Sequence, residues 1–205
     1  MRIRINIQIF LVAVLLTFAH QIKVYAWLML FALIHECAHM ITGLLLNLKP
    51  KSLEIEPFGV SVIFEGYKNS EIKKIIIAIA GPVMNFILAG SFSLIDLEAK
   101  TIIINSNLLL GLFNLVPIYP LDGGRILKYV LKVKNDGFEI ETIINKTSNI
   151  LMIILTILSS VLILIYKNIG LFIIVIYLWL IIIKENKKYE LKKKINNLIE
   201  KENIS

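Results

Sequence analysis

An apolar stretch at residues 24–46 carries ionisable side chains near its middle, namely His35, Glu36 and His39. A stretch of roughly 20 apolar residues is long enough to cross a lipid bilayer as a helix. Ionisable side chains at that depth are energetically costly, and they usually mark a functional site. The stretch therefore predicts a membrane helix that is built around a polar site.

The pentapeptide His35-Glu36-Cys37-Ala38-His39 has the pattern HExxH. On a helix its two imidazoles lie one turn apart on the same face, where both can bind one Zn²⁺. The glutamate between them can then take a proton from the attacking water. The pattern predicts a hydrolytic zinc site, with His35 and His39 as ligands and Glu36 as the catalytic base. One alternative stays open, in which the two histidines only form hydrogen bonds between helices.

The composition indicates that the whole chain is a membrane protein. Hydrophobic residues make up 57% of it and the mean hydropathy is +0.78, which exceeds that of a soluble domain. Apolar runs that could form helical spans occur at residues 3–19, 24–46, 75–97, 101–119, 148–166 and 169–183. We expect an all-α polytopic membrane protein with about six transmembrane helices. The first run also resembles a secretory signal peptide, but we expect it to be retained as a helix.

The basic residues indicate how these spans are oriented. If both termini are cytoplasmic, 19 of the 22 Lys and Arg residues fall on the cytoplasmic side, and Lys23, Lys100 and Lys167 fall outside. Because cytoplasmic loops carry an excess of Lys and Arg, this count supports six spans in a cell membrane with both termini inside. The same rule accounts for most of the net charge of +7, so we expect no nucleic-acid partner.

Two segments depart from the pattern of apolar helices. Residues 52–65 alternate apolar residues with polar or small ones around a Pro-Phe-Gly sequence, which predicts a short membrane-associated β-hairpin. Residues 185–205 are rich in lysine and predict a basic cytoplasmic tail near anionic lipid. We therefore expect residues 1–184 to form one membrane domain, followed by this tail.

A catalytic zinc usually has three protein ligands, and HExxH supplies two of them. The remaining histidine, His20, is expected at the outer face, whereas the HExxH site lies nearer the inner face. Among the acidic residues, the topology leaves Asp122 at a suitable depth. Residues 114–124 contain two prolines and two glycines, which break a helix and expose backbone groups that a membrane tolerates only inside protein or beside a wet cavity. Asp122 is the predicted third ligand; the alternative is that it caps the helix that follows.

The HExxH motif in a membrane helix, followed by NLVPIYPLDGGR at residues 114–125, resembles the site-2 protease family of intramembrane zinc metalloproteases. Within that family, the chain is similar to the sporulation stage IV enzymes that process the pro-sigma-K factor. The resemblance implies one zinc ion, with His35, His39 and Asp122 as its ligands and Glu36 as the catalytic glutamate. Residues 1–184 would then be the intramembrane metalloprotease domain.

The resemblance also implies which residues contact the substrate. Asn114, Pro117 and Pro120 match the family's loop beside the active site. The sequence GPVMN at residues 81–85 looks like the family's third-span motif, and its alternative interpretation is a proline-kinked helix with close packing. The amides of Asn85 and Asn114 both donate and accept hydrogen bonds, so they are candidates to hold an unwound substrate backbone or the developing oxyanion.

The implied function is regulated intramembrane proteolysis, in which a zinc metalloendopeptidase cleaves a membrane-associated or membrane-tethered protein such as a pro-sigma factor. The partners would be that substrate, membrane lipid and a membrane inhibitor or regulator. Family members often carry CBS or PDZ domains, and we expect neither here, because the chain beyond residue 183 is too short to form one.

Two other functions remain open at this stage. A proton or metal transporter could use His35, Glu36, His39 and Asp122 as its pathway, although it would need polar residues across more of the later spans. A catalytically inert relative could bind and regulate a membrane partner. The presence of Glu36 disfavours that second alternative, because a purely structural zinc site needs no acid between its histidines.

Overall fold

The structure is a computed structural model that describes residues 2–5, 22–56, 59–65, 70–134, 138–166 and 170–202. These residues form mainly helices, together with one small sheet. The strands are β1 (Arg2–Ile5), β2 (Lys49–Glu56) and β3 (Gly59–Glu65). The helices are α1 (Ile22–Leu45), α2 (Glu71–Ser93), α3 (Lys100–Asn114), α4 (Asp122–Lys134), α5 (Phe138–Tyr166) and α6 (Gly170–Glu202).

The contacts divide the chain into two compact units, Met1–Val116 and Pro117–Ser205. In the first unit, helices α1, α2 and α3 pack against one another, and β2 and β3 pack against α1. In the second unit, α5 packs against both α4 and α6. The HExxH helix therefore lies in the first unit, and Asp122 begins the first helix of the second.

Helix α1 has one buried face and one exposed apolar face. The buried face follows helical spacing and consists of Phe31, Ala32, His35, Ala38 and His39. Large apolar side chains such as Leu33, Ile41 and Leu44 are exposed, as expected for a helix in contact with lipid. The two histidines consequently point toward α2.

Helices α2 and α3 approach closely because their packed faces contain small residues. The buried face of α2 comprises Ile77, Ala78, Gly81, Pro82, Asn85 and Ala89, and that of α3 comprises Ile103, Ser106, Asn107 and Gly111. A Cβ atom on Gly111 would lie only 3.0 Å from the ring of Phe86. This close packing brings polar side chains of α2 and α3 together behind α1.

The sheet has the strand order β1-β2-β3, so β3 forms one of its edges. Strands β2 and β3 pair antiparallel, with Val62 opposite Leu53, and β1 pairs parallel with β2. The sequence predicted strands at residues 52–65. It did not predict the strand at Arg2–Ile5, which overlaps the start of the predicted first span. Residues 6–21, with the rest of that span and His20, lie outside the described residues, as do residues 57–58.

Within the described residues, three helical segments are long and apolar enough to cross a membrane: Ala26–Leu45, Glu71–Ser93 and Phe138–Ile165. Helix α3 has 15 residues, fewer than the roughly 20 that a span usually needs. It ends at Asn114, before Pro117 of the 101–119 run. The count of six spans stays a prediction.

Helix α6 runs for 33 residues and continues past residue 184, where the sequence suggested that a tail begins. The amide of Asn145 donates to Oδ1 of Asn186 at 2.7 Å, and Tyr189 stacks on Phe138 with ring centroids 5.6 Å apart. The first residues of the predicted tail therefore pack against α5. Lysine and glutamate are good helix formers, so the change from apolar to charged residues does not end the helix.

Candidate metal centre

The two histidines of the HExxH motif face each other on the buried side of α1. Each is 3% exposed, and their rings lie nearly perpendicular with centroids 4.7 Å apart. The Nε2 atoms of His35 and His39 are separated by 3.1 Å. The helix therefore directs the same nitrogen of both rings to one point, as the spacing predicted.

A backbone carbonyl determines which nitrogen of His39 carries the proton. The Nδ1 atom of His39 donates to the carbonyl oxygen of Ile77 at 2.6 Å. A carbonyl oxygen can only accept, so the proton lies on Nδ1 and the lone pair of a neutral ring lies on Nε2.

His35 has the same tautomer with a different partner. Its Nδ1 lies 2.5 Å from Oδ1 of Asn85, an amide oxygen that accepts. Ligating histidines almost always donate their second ring N–H to a carboxylate, a carbonyl or a water. Both rings are thus oriented in the way that metal ligands are.

The geometry of the two Nε2 atoms fits a bound zinc ion. Two nitrogen lone pairs that face each other at 3.1 Å repel unless a cation lies between them. Tetrahedral zinc with Zn–N bonds of about 2.0–2.1 Å holds two ligand nitrogens about 3.3 Å apart. The observed separation is close to that value.

Gly81 of α2 keeps the space beside these two nitrogens open. A Cβ atom at this position would lie 2.5 Å from Nε2 of His35 and would also overlap Nε2 of His39. The absence of a side chain at Gly81 is therefore required by the two histidines, which explains the glycine of the GPVMN motif.

Asp122 is the first residue of α4 and is 4% exposed. The N–H of Arg125 donates to the carbonyl of Leu121, which gives Leu121 rather than Asp122 the position of the N-cap. This arrangement disfavours the alternative in which Asp122 serves only as the helix cap. Nη1 of Arg125 lies 3.7 Å from Oδ1 of its carboxylate.

The segment before Asp122 is held tightly against α4 and α5. A Cβ atom on Gly124 would lie 2.5 Å from the carbonyl carbon of Ile118, so this glycine permits the close approach. The backbone N–H of Tyr119 donates to the buried hydroxyl of Ser148 at 2.9 Å. These contacts determine where the chain places Asp122.

The three predicted ligands are of types that zinc binds. His35, His39 and Asp122 each offer one ligand atom, and each is buried. Zinc sites of hydrolases combine histidine nitrogens with carboxylate oxygens and keep a position for water. Glu36 is half-buried and Cys37 is exposed.

The residues that were predicted to bind substrate differ in their surroundings. Asn85 is 0% exposed, and both its amide oxygen and its amide nitrogen have protein partners, which favours a role behind His35 over contact with a substrate. Asn114 is half-buried and donates to the carbonyl of Leu110 at 3.1 Å. Pro117 and Pro120 are half-buried. For all four residues, substrate binding stays a prediction.

Sequence reasoning missed Asn107 and Ser148. Asn107 is 0% exposed and hydrogen-bonds Asn85, and Ser148 anchors Tyr119. Both are polar residues inside apolar runs, and that signal could have marked them.

The family model described as Peptidase family M50 matches residues 24–99 and 96–155 of this chain. Zinc metalloprotease MJ0392 of Methanocaldococcus jannaschii is 33% identical over 160 residues, which cover 68% of this chain and 46% of the relative. Stage IV sporulation protein FB of Bacillus subtilis is 28% identical over 134 residues, which cover 62% of this chain and 46% of the relative. The chain thus spans less than half the length of these relatives.

A solved structure has the same fold. The site-2 protease from Methanocaldococcus jannaschii superposes with a TM-score of 0.71 over 89% of both chains, at 22% sequence identity.

Proposed function

Because this membrane protein belongs to peptidase family M50, whose model matches residues 24–99 and 96–155, we propose that it is an intramembrane zinc metalloendopeptidase. Its substrate is a membrane-associated or membrane-tethered protein. The observation that carries the proposal is the pair of buried histidines, whose Nε2 atoms face each other at 3.1 Å with both Nδ1 atoms engaged. The relatives named as zinc metalloproteases support the same metal.

His35, His39 and Asp122 are the proposed ligands of one zinc ion. All three are buried side chains of the types that zinc binds. A zinc ion held there supplies Lewis-acid activation of a water molecule and of the scissile carbonyl. Two neutral imidazole nitrogens and one carboxylate would offset only one of the two positive charges of Zn²⁺. The net positive charge that remains would polarise the water and the carbonyl.

Glu36 is the proposed general base. It lies between the two histidines in sequence and is half-buried. Its carboxylate accepts a proton from the attacking water and then delivers it to the leaving amine, as required for cleavage of a peptide bond. General acid–base catalysis of this kind typically contributes about 10²- to 10⁴-fold in rate.

We further propose that an unwound substrate segment pairs with the outer edge of β3. The amides of a substrate helix are engaged in i to i−4 bonds, so the segment must unwind before cleavage, and an edge strand offers replacement partners. The edge position of β3 and its packing against α1 support this role. Asn114, Pro117 and Pro120 would contact the same segment.

The charge distribution supports a multi-pass protein of about six spans in the cell membrane, with both termini cytoplasmic. The candidate centre would then open toward the cytoplasm, and cleavage would release a fragment to that side. A pro-sigma factor is one candidate substrate, since one relative is a stage IV sporulation protein. A membrane regulator would be the second partner.

The test is co-expression of the full chain with candidate membrane-tethered transcription factors, including a pro-sigma factor, with the Glu36→Gln variant in parallel. We expect a shortened product only with the wild type, because the amide of glutamine cannot accept the proton. Zinc should be bound equally by both proteins, measured on the same purified samples. A Glu36→Gln variant that cleaves at near the wild-type rate would remove the general-base role. If zinc-bound wild type cleaves no candidate, and both proteins carry zinc into liposomes, the chain is a transporter.

A further inference from the structure

Two buried asparagines connect His35 to the backbone of α3. The Oδ1 atom of Asn85 lies 2.5 Å from Nδ1 of His35, and Nδ2 of Asn85 donates to Oδ1 of Asn107 at 3.0 Å. The Nδ2 atom of Asn107 donates in turn to the carbonyl oxygen of Ile103 at 2.9 Å. Both asparagines are 0% exposed. We call this line of hydrogen bonds, from Ile103 through Asn107 and Asn85 to His35, the amide relay.

The direction of every bond in the amide relay follows from its first member, the carbonyl group of Ile103. The carbonyl of Ile103 can only accept, so Asn107 must turn its nitrogen toward it and its oxygen toward Asn85. Asn85 must then turn its own nitrogen toward Asn107 and its oxygen toward His35. An oxygen at that place can only accept, so Nδ1 of His35 carries the proton and Nε2 carries the lone pair.

His39 reaches the same tautomer without a relay. Its Nδ1 donates directly to the carbonyl of Ile77, a backbone group that has no second orientation. The amide of Asn85, in contrast, could present either its oxygen or its nitrogen to His35 if nothing held it. A nitrogen at that position would favour the wrong tautomer, in which Nδ1 rather than Nε2 carries the lone pair.

We propose that Asn107 is a positioning residue of the metal centre, which acts through Asn85 to hold His35 in the tautomer that presents Nε2 to zinc. This inference rests on one part of the proposed function, namely that a metal binds His35 and His39. Partners behind a ligand typically contribute about 10- to 100-fold to metal affinity. Asn107 has a share of that effect, although its hydrogen bonds are to Asn85 and Ile103 and not to a ligand.

The first experiment measures the zinc affinity of the purified full chain by competition with a chelator. We expect Asn107→Leu, which has a similar volume and no amide, to weaken zinc binding by about 10-fold. Ser106→Ala is the matched control, because Ser106 is its neighbour on α3 and is 4% exposed, and it should leave the affinity unchanged. An affinity of Asn107→Leu within twofold of the wild type would overturn the inference.

The second experiment separates positioning from folding by a rescue. In the double variant Asn85→Asp/Asn107→Leu, both oxygens of the introduced carboxylate can only accept while it is ionised, so no relay is needed to orient it. We expect the double variant to bind zinc several-fold more tightly than Asn107→Leu alone. If Asn107 only helps α3 to pack, the double variant will bind no better than the single one, and the inference is wrong.

The third experiment observes the tautomer itself. In metal-free protein with His20→Gln, ¹⁵N shifts of the imidazole nitrogens report the proton positions of His35 and His39, the two histidines that then remain. We expect Nδ1–H for both in this His20→Gln protein, and a mixture for His35 alone when Asn107→Leu is added. An unchanged His35 would contradict the relay. A wild type that binds no zinc would refute the proposed function instead, so the two failures are distinguishable.

Discussion

Asp122 lies at a position where the protein stabilises a negative charge. It is the first residue of α4, where the helix dipole favours an anion, and the guanidinium of Arg125 is 3.7 Å from its carboxylate. Its side chain is almost entirely buried. A buried carboxylate needs such partners, and a metal ion would be the strongest of them.

We predict that Asp122→Asn loses both zinc and proteolytic activity. A neutral amide is a poorer ligand than a carboxylate, so the loss of affinity should exceed the roughly 10- to 100-fold that a partner behind a ligand typically contributes. The control is Asp96→Asn, an exposed carboxylate between α2 and α3. Zinc content and product formation are measured for both variants. Equal zinc occupancy in Asp122→Asn and the wild type would show that Asp122 is no ligand.

At the level of residues, the HExxH spacing was enough to predict the shared face of His35 and His39. It could not identify the partners of their Nδ1 atoms. Those partners, the carbonyl of Ile77 and the side chain of Asn85, depend on how α2 is rotated and shifted along α1. Hydrophobic periodicity reports which face is buried but not that register, so it could not reveal the hydrogen bond between His35 and Asn85.

Helix α2 approaches the histidines of α1 closely at Gly81, which the GPVMN motif places one residue before Pro82. Alanine favours a helix over glycine by about 1 kcal/mol, so an alanine here would improve the intrinsic helix propensity of α2. An alanine at this position is nevertheless unfavourable, because its Cβ atom would overlap the Nε2 atoms of both histidines. Packing and propensity therefore oppose each other at this position.

We predict that Gly81→Ala displaces the histidines and lowers zinc content, with activity falling in proportion. Gly90→Ala on the same helix is the matched control, because a Cβ atom at Gly90 meets nothing within 4 Å. The control should keep its zinc and should unfold at the wild-type temperature or above. Full zinc occupancy in Gly81→Ala would mean that α1 and α2 can separate enough to admit a methyl group.

A second prediction at this scale concerns the edge strand β3. Val62→Pro removes a backbone N–H and restricts φ, so we expect slower substrate processing with unchanged zinc content. Arg4→Pro, in the strand β1 at the opposite edge of the same sheet, is the control and should process substrate normally. Processing at the parent rate in Val62→Pro would argue against substrate pairing with β3. An equal loss in both variants would indicate that the integrity of the sheet, not one edge, is required.

The helices were easier to predict from the sequence than their ends. Apolar runs predicted α1, α2 and α5, but α5 begins at Phe138, ten residues before its run. Hydropathy indicates whether a residue favours lipid or water, but a helix can continue from one environment into the other. Hydropathy therefore does not predict where a helix begins or ends. The strand at Arg2–Ile5 was missed because its pairing with β2 joins segments far apart in sequence.

At the scale of the whole molecule, the boundary between the two compact units lies between Val116 and Pro117. This point is inside the proline- and glycine-rich segment that the sequence singled out for its chemistry. The sequence suggested a boundary near residue 184 instead, because a charged tail resembles a separate segment. Asn145 and Asn149 of α5 donate hydrogen bonds to Asn186, and the boundary near residue 184 stays a prediction.

The proposed topology can be tested by labelling. With the exposed Cys37 replaced by serine, single cysteines at Glu98 and at Lys187 occupy exposed positions on either side of the predicted membrane. We predict that a membrane-impermeant reagent labels position 98 from outside the cell and position 187 only after the membrane is opened. Labelling of position 98 from the cytoplasm would invert the topology, and cleavage on the cytoplasmic side would then no longer be expected.

Helix α3 is shorter than the bilayer that it would cross. Its 15 residues extend about 22 Å at 1.5 Å per residue, against a hydrocarbon core of about 30 Å. Such a mismatch is relieved when the lipid thins locally, at a cost of fractions of a kcal/mol for each ångström. Lipids with short acyl chains would already match α3. With α3 as one of the predicted spans, the acyl-chain length of the surrounding membrane would be a variable of this protein's stability, independent of any substrate or metal.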